Sequence, residues 1–439
     1  MPGAGPATSP ATVDRHGATK AKFSVSGWHR ARYEWLDPQY RPTSDTRDQV
    51  LALDTSVSFS AEWPHLNLAA ELLDARGELN DSGSTLSTSV VDAAEPVQAY
   101  VGWTFSPSAS GVKNTVRAGR VTLDLGKRRL IARNRYRNTV SSFLGVDWRR
   151  QGPRGQDLHV FFFHPMNILP SDRDSLLENE ARLDKPATGT DLWGAFYAFP
   201  ALRTRDRLEL YAIKLEADEQ TDHRDLATFG VRLFRPASPE HWHYEIEAMR
   251  QTGTSTGTVA GVSRTGLDHR AYLGHVELGY TFMARGKPDL MFQYDTSSGD
   301  RDPNDDRNER FDTLFGARRF DYGPTGIYGP FPRANLETSG VRLGFVPAPR
   351  WQSMVAYRAY RLQSARDAWT TTGLRDASGQ SGDSLGRQAE AQFSWNAVED
   401  RLGVEAGYAY FSKGRFVERT APAQSSPSNY FYAALTVSF

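Results

Sequence analysis

The chain has 439 residues, of which 39% are hydrophobic and 12% are aromatic, and its 52 basic and 52 acidic residues cancel. Balanced charge gives no global field that would favour nucleic acid, and no run of about 18 apolar residues could form a transmembrane helix. Frequent aromatic residues without long apolar runs are typical of a membrane β-barrel, where only every second residue must be apolar. Cysteine is absent, which fits an oxidising compartment.

The N-terminal stretch MPGAGPATSPATVDRHGATK has no apolar core and no signal-peptide shape. If the protein crosses an inner membrane, we expect its secretion signal to have been trimmed or to lie upstream of the chosen start. We therefore predict a flexible N-terminal segment at residues 1–21 and a single β-barrel domain at residues 22–439.

Alternating segments recur to the end of the chain, with the length of roughly ten residues that a tilted strand needs to cross a bilayer. The count of eighteen is even, and it predicts an all-β, antiparallel transmembrane barrel. The predicted strands are Phe23–Leu36, Val50–Ala61, Leu66–Leu73, Val97–Phe105, Thr115–Leu125, Thr139–Arg149, Leu158–His164, Asp191–Phe199, Arg207–Glu216, Leu226–Phe234, Trp242–Met249, Tyr272–Phe282, Leu290–Asp295, Val341–Val346, Trp351–Tyr360, Arg387–Trp395, Leu402–Phe411 and Tyr430–Phe439.

The connections alternate in length, as do the short periplasmic turns and long extracellular loops of bacterial outer-membrane barrels. A soluble sandwich or propeller has no reason for this alternation. The short connections are EWPH at 62–65, QGPRG at 151–155, RPASPE at 235–240, ARGKP at 284–288, PAPR at 347–350 and NAVED at 396–400, and the longer polar ones span 74–96, 165–190, 250–270, 296–333, 361–386 and 412–429.

The last ten residues, YFYAALTVSF, carry apolar side chains at alternate positions up to Phe439. This pattern resembles the C-terminal signal of bacterial outer-membrane proteins, although a soluble sandwich could also end on an amphipathic strand. Because an open sheet edge in lipid leaves backbone groups unsatisfied, we expect the last strand to pair with the first.

Charged residues alternate with apolar ones along many strands, as in Tyr272–Phe282, where Val276 and Leu278 oppose His275 and Glu277. A basic residue on the lipid face near the midplane costs about 2–4 kcal/mol, so we expect the charges to point inward. The predicted interior is a polar, water-filled passage that carries both signs. Aromatic residues near strand ends indicate girdles at the two interfaces, while an inward one such as Trp28 could instead stack against a sugar.

A basic run lies between Gly126 and Arg137, within residues 117–148, and holds no acidic residue. It could be an external loop that contacts lipopolysaccharide phosphates. Alternatively, its guanidiniums line the pore, because the planar fork of arginine binds carboxylates bidentately and never deprotonates. The candidate pore-lining residues are Arg30, Arg32, Arg117, Arg120, Arg128, Arg129, Arg133, Asp147, Arg149, Arg232, Arg342 and Arg358.

Three stretches together resemble the alginate export family of outer-membrane porins. The first has the pattern R-x-G-R-x-x-L-x-x-G from Arg117, followed by an Arg/Leu-rich turn and a strand with F-x-G-V. The second, residues 294–336, begins with YDTSSGD and continues with F-D-T-L-F and a Tyr-Gly segment, and the third is the Arg/Tyr-rich stretch 355–368. The resemblance implies an eighteen-stranded barrel that passes an anionic polysaccharide through an Arg-lined constriction.

An acidic cluster in the second stretch offers Asp300, Asp302 and Asp305 as a weak Ca²⁺ candidate, because Ca²⁺ takes six to eight oxygen ligands. Neighbouring arginines could neutralise these carboxylates instead, and we otherwise expect no cofactor or metal. The loop that follows is rich in glycine and aromatic residues and could fold into the lumen. A separate stretch, SDRDSLLENEARL, predicts a short helix capped by Ser171 or Asp172.

No G-x-S-x-G or H-E-x-x-H motif is present, so we expect a channel rather than an enzyme. The predicted function is outward passage of an alginate-like anionic polysaccharide, fed by periplasmic partners, across the bacterial outer membrane with its lipid and lipopolysaccharide. Inward Glu245, Glu247 and Glu277 dilute the positive field. A passive porin for small anionic solutes or sugar acids therefore remains the alternative.

Overall fold

Eighteen long antiparallel strands make up most of the chain in a computed structural model, which describes residues 21–42, 47–80, 83–106, 111–201, 205–217 and 223–439. The predicted flexible segment 1–21 lies outside the described residues, apart from Ala21. The strands are β1 Lys22–Asp37, β2 Asp48–Glu62, β3 Leu66–Glu78, β4 Asp92–Phe105, β5 Lys113–Val121, β6 Phe143–Gln151, β7 Asp157–Asn167, β8 Thr190–Ala198, β9 Arg207–Ala217, β10 Arg224–Arg235, β11 Trp242–Val259, β12 Val262–Thr281, β13 Asp289–Ser297, β14 Leu336–Phe345, β15 Trp351–Arg361, β16 Ser384–Val398, β17 Leu402–Lys413 and β18 Ser428–Ser438.

The sheet closes on itself where β1 pairs with β18, from Trp28 opposite Ser438 onward. Phe439 continues this seam, since it exchanges backbone hydrogen bonds of 2.9 and 3.0 Å with Gly27. A Cβ at Gly27 would lie 2.5 Å from the Phe439 ring, so only glycine fits there. The predicted pairing of the last strand with the first is confirmed.

Side chains alternate between the two faces of the wall as the sequence predicts. In β12, Val276 and Leu278 are exposed on the outer surface, whereas His275 and Glu277 are buried inside the barrel. Because strand side chains point alternately to opposite faces, the outer surface becomes an apolar band and the charges collect within.

The two ends of the barrel differ in their connections. Short turns such as residues 152–156 and 399–401 lie at one end, and the longer loops lie at the other. Three of these long connections matter below: the arginine loop (122–142), the side loop (168–189) and the inner loop (298–335).

The predicted loop at 250–270 is wrong, because β11 and β12 continue through it and turn only at Ala260 and Gly261. This extension is polar, so it shows no apolar alternation for a sequence pattern to detect. By contrast, the predicted strands Thr115–Leu125 and Thr139–Arg149 are too long, since the chain leaves the wall after Val121 and rejoins it at Phe143.

In the part of the chain that the structure describes, helix occurs as short segments of the long connections: α1 Arg173–Leu177, α2 Arg319–Tyr322 and α3 Arg415–Thr420, with a 3₁₀ turn at Pro422–Gln424. The predicted cap is confirmed, since the Asp172 carboxylate accepts a 3.0 Å hydrogen bond from the Ser175 backbone N–H. Among the described residues, no helix is both long and apolar enough to cross a membrane.

An aromatic core lies inside the barrel at the long-loop end. Phe331 of the inner loop stacks on Tyr360 of β15 with an interplanar angle of 4°. Tyr40 stacks on Trp369 at 5.4 Å, and the Trp369 indole N–H donates to the Pro330 carbonyl. The inner loop is therefore packed against the wall inside the barrel. This agrees with the expectation from the sequence that the loop could fold into the lumen.

Candidate functional site

The arginine loop and the inner loop meet inside the lumen through backbone hydrogen bonds. The Phe315 N–H donates to the Leu130 carbonyl at 2.9 Å, and the Ala132 N–H donates to the Phe315 carbonyl at 3.1 Å. A Cβ at Gly316 would stand 1.8 Å from the carbonyl oxygen of Arg129, so the close approach requires glycine at that position. The two loops therefore form one unit that crosses the barrel.

Arg129 joins this unit to the wall. Its Nε and Nη2 donate to the Asp321 carboxylate of the inner loop at 2.9 and 3.0 Å, and its Nη1 donates to Glu245 of β11 at 2.5 Å and to Glu247. Arg333 also donates to Asp321. We call these five residues the arginine latch.

The latch is shielded from water, since Arg129 is 2% exposed and Asp321 is 0% exposed. Burial alone would raise the pKa of the Asp321 carboxyl, but the facing Arg129 and Arg333 guanidiniums hold that pKa well below its ordinary value. The latch therefore keeps its charges and is a fixed structural element.

Most of the arginines predicted to line the pore face a carboxylate across the lumen surface. Besides Arg129, eight of the predicted arginines form such a pair, and the predicted Asp147 is the partner of Arg117. The pairs are Arg30 with Asp54, Arg32 with Glu34, Arg117 with Asp147, Arg120 with Glu95 and Asp184, Arg133 with Glu71, Arg149 with Asp157, Arg232 with Glu209 and Glu245, and Arg358 with Glu390.

These pairs give the interior both signs of charge, in agreement with the sequence analysis. Arg32, Arg129 and Arg358 are only 1%, 2% and 3% exposed, so they lie behind the lumen surface rather than on it. The last two predicted residues have no ion pair within the described part of the chain. Arg128 lies 5.2 Å from the Phe320 ring centroid, and Arg342 approaches the Met291 sulfur at 3.2 Å.

A different set of cations converges on the inner loop at residues 327–329. Arg41, which follows β1, donates to the carbonyls of Ile327 and Tyr328 at 2.9 and 2.7 Å. Arg318 donates to the Gly329 carbonyl at 3.0 Å. Both guanidiniums therefore donate to carbonyl groups of residues 327–329.

Arg137 of the arginine loop completes this group, and its backbone carbonyl accepts a 2.7 Å hydrogen bond from Arg30. We call Arg41, Arg137 and Arg318 the arginine cluster. In the described ranges, none of the three forms an ion pair. Burial, followed by the repulsion of Arg137 and Arg41, lowers the pKa of Arg318 to about 10, so the cluster is short of negative charge.

Sequence reasoning included Arg137 within the basic run but missed Arg41 and Arg318. The pair Arg318-Arg319 in FGARRF was the only local signal for the latter. Arg319 has acidic partners, since it faces Glu390 at 3.2 Å and Glu405 at 3.5 Å. Nothing in the sequence indicates that Arg319 forms ion pairs whereas Arg318 does not.

The acidic residues of the predicted Ca²⁺ site do not converge in the structure. Asp300 lies beside Asp367, with Arg375 at 3.7 Å, whereas Asp302 and Asp305 each accept a hydrogen bond from a backbone N–H two residues ahead. This arrangement favours the alternative of a salt-bridge and turn network. In the part of the chain that the structure describes, the acid-bearing groups close enough to share an ion are His275 with Glu277 and Asp321, and Asp92 with Glu95 and Asp184.

Comparison with known proteins identifies the family. The profile described as "Alginate export" matches residues 21–431, nearly the whole chain. The chain belongs to the alginate export family. The resemblance read from the sequence motifs is thereby confirmed. No curated protein matches this sequence.

Solved structures share the fold of this alginate export family member at low identity. OccAB1 of Acinetobacter baumannii matches with a TM-score of 0.60 and 13% identity over 95% of this chain and 96% of its own. Pseudomonas aeruginosa OccK8 (OprE) gives 0.59 and 13% over 95% and 98%, and OpdK with vanillate from the same organism gives 0.57 and 13% over 94% and 98%. These likenesses confirm the closed eighteen-stranded barrel.

The barrel lies in the bacterial outer membrane, as its family and its fold both indicate. Family membership and fold together support an outer-membrane channel rather than an enzyme. The long-loop end is then the extracellular end, and the short turns face the periplasm.

Proposed function

We propose that this alginate export family member conducts carboxylate-bearing saccharides, polyuronates above all, and that the arginine cluster binds their carboxylates on the way. The observation that carries the proposal is the contrast in partners. Arg41, Arg137 and Arg318 have no carboxylate partner in the described ranges. Most of the arginines that the sequence predicted to line the pore, such as Arg129, do have one.

Unpaired guanidiniums in a confined lumen are suited to a passing carboxylate. Arginine binds carboxylates bidentately, and charges in a narrow, low-dielectric passage are poorly screened. Three cations at one level therefore raise the local concentration of an anionic solute. Because Arg137 is exposed while Arg41 and Arg318 are half-buried, the cluster presents a surface that a solute can reach.

A second candidate is passage of small anionic solutes only. The inner loop and its aromatic core occupy lumen space at the extracellular end, as Tyr328 and Phe331, at 0% and 1% exposure, demonstrate. One of the similar structures, OpdK, was solved with vanillate, a small carboxylate. Both observations favour a solute shorter than a polymer.

The experiment measures ion selectivity and block in planar bilayers. We expect wild-type channels to prefer anions, as read from the reversal potential across a KCl gradient, and to be blocked by uronate oligomers. The triple variant Arg41→Gln, Arg137→Gln, Arg318→Gln should lose most of both properties. Arg154→Gln is the matched control, since Arg154 is exposed in the periplasmic turn at 152–156 and forms no ion pair within the described residues.

Oligomer length separates the two candidates. A polyuronate conduit should be blocked more strongly as the oligomer grows, because successive carboxylates meet successive cations. A small-solute porin should respond best to the monomer. If the triple variant keeps wild-type selectivity, the cluster is not the anion site and the proposal is wrong.

A further inference from the structure

A carboxylate cluster lies apart from the arginine latch and the arginine cluster, where the side loop meets β4. Asp92 and Glu95 belong to β4, and Asp184 belongs to the side loop. One carboxylate oxygen from each residue lies within 4.8 Å of the others. The three side chains are 0%, 1% and 9% exposed, so bulk water does not screen their mutual repulsion.

Two of the three carboxylates have partners. Arg120 donates to Glu95 and, at 2.7 Å, to Asp184. The Asp184 backbone N–H donates to Glu95 at 3.0 Å, and the Leu169 N–H donates to Asp184 at 3.0 Å. One guanidinium therefore serves two of the acids, and the three carboxylates outnumber the facing guanidinium.

The third carboxylate, that of Asp92, has no hydrogen-bond partner or ion pair among the described residues. Both of its oxygens are buried, and neither has a hydrogen-bond partner in the structure. A buried carboxylate without compensation is costly, and the facing guanidinium, Arg120, is already engaged. The Asp92 oxygens point to a positively charged ligand outside the protein chain.

We infer that Asp92, Glu95 and Asp184 form a Ca²⁺ site that fastens the side loop to the barrel wall. Oxygen-only ligands and an excess of carboxylates over guanidiniums suit a hard divalent cation. Ca²⁺ tolerates irregular geometry and fills its six to eight positions with carboxylates, backbone carbonyls and water, whereas Mg²⁺ demands a near-ideal octahedron.

The backbone of β4 is irregular at the two acids, and this irregularity places them side by side. Its pairing with β3 shifts register on both sides of the Leu73–Glu95 pair, the second time before the final Ala75–Asp92 pair. Ala94, between the two acids, has a φ of 58°, a left-handed conformation that costs free energy in a residue other than glycine. This kink brings Asp92 and Glu95 to the same place, which a regular strand would not do at a spacing of three.

The site would control the position of the side loop. The middle of that loop is tied to the wall, because Asn179 exchanges hydrogen bonds with the Gly77 backbone at 2.8 and 3.0 Å. A cation at Asp184 would strengthen the attachment that Arg120 and Glu95 already give this residue. Ca²⁺ would thus hold the loop flat against the rim without taking part in the anion site of the lumen.

The test uses the full chain in detergent after EGTA treatment. Calorimetric titration with CaCl₂ should show one ion per chain, with weaker binding of MgCl₂, and Ca²⁺ should slow tryptic cleavage after the exposed Arg182 of the side loop. Because affinity depends on the number of charged ligands, Asp92→Asn should weaken Ca²⁺ binding by about tenfold or more and remove the protection. Asp184→Asn should act alike.

Asp302→Asn is the matched control, since it removes an exposed acid of the inner loop outside the site. We expect it to bind Ca²⁺ as the wild type does. The inference is wrong if the wild type binds no Ca²⁺, if both Asp92→Asn and Asp184→Asn bind it normally, or if Asp302→Asn alone abolishes binding. None of these outcomes depends on ion selectivity, so the proposed channel function stands or falls separately.

Discussion

The arginine loop supplies Arg129 to the latch and Arg137 to the cluster, and the two side chains meet opposite surroundings. Arg129 is surrounded by Glu245, Glu247 and Asp321 and is 2% exposed. Arg137 is exposed and has no acidic partner in the described ranges. Both residues are arginines of the same loop. The presence of acidic partners therefore decides whether the guanidinium has a structural role, as in Arg129, or stays available to bind a solute, as we propose for Arg137.

The largest effect should come from breaking the latch. Arg129→Gln leaves the buried Glu247 without a cation among the described residues and removes one cation each from Glu245 and Asp321, which keep Arg232 and Arg333. Loss of one partner from a buried ion pair costs about 3–5 kcal/mol. We expect that loss in the free energy of unfolding, measured by urea denaturation in detergent, together with a higher single-channel conductance as the inner loop detaches. Arg128→Gln, one position earlier and free of ion pairs within the described residues, should change neither by much.

The second effect concerns the backbone contact between the two loops. Gly316→Ala places a Cβ against the Arg129 carbonyl, and overpacking of this kind costs about 1–3 kcal/mol. The Ala132 and Phe315 amides, which donate across this contact, should then exchange hydrogen faster, as followed by mass spectrometry. Gly189→Ala, where a Cβ would meet open space, is the control. Equal exchange in the two variants would contradict the loop contact.

The third effect is pH dependence at the base of the inner loop. Burial, and next the neighbouring Asp367 carboxylate, raises the pKa of Asp300 to about 7. The docked loop thus holds a proton that the released loop gives up near its ordinary pKa of about 4. Docking should therefore weaken as pH rises from about 4 to 7 and change little above that range.

With allowance for solvent screening, we expect this weakening to amount to roughly 1–2 kcal/mol. Limited proteolysis of residues 298–312 at pH 5 and pH 8 would measure it. Asp300→Asn should flatten the dependence, because the amide does not titrate. A loop that becomes more protected at high pH would reverse the sign and refute the assignment.

The smallest effect sharpens the role of the cluster. Arg318→Lys keeps the charge but loses the planar fork, so anion preference should persist in the reversal potential. Block by uronate oligomers should weaken roughly fivefold, which corresponds to the loss of about 1 kcal/mol from one charge-assisted hydrogen bond. Equal block by both proteins would mean that the cluster acts by charge alone.

The wall could be predicted from the sequence because its pattern is local. Period-two alternation fixed which side of β12 faces lipid, with Val276 and Leu278 outside and Glu277 inside. The eighteen strands and the closing pair followed from the same rule. The extension of β11 and β12 was not predicted, because polar residues beyond the membrane do not show the alternation of apolar and polar side chains.

The interior could not be predicted, because its contacts join residues far apart in the chain. The acids that hold Arg129 lie on β11 and in the inner loop, more than a hundred residues away. Likewise, Asp92 and Asp184 meet only because the side loop folds back onto β4. Composition reveals that arginines and acids are present, but only the loop paths reveal which of them meet.

The seam between β1 and β18 has a consequence for how the barrel assembles. Every other long strand pairs with its neighbours in sequence, whereas the seam joins Trp28 to Ser438 near the opposite end of the chain. Contacts between sequence neighbours form early, while closing a loop of this length carries the largest entropic cost. We therefore expect closure to come last, since Gly27 can fit against Phe439 only after the preceding hairpins have taken their registers.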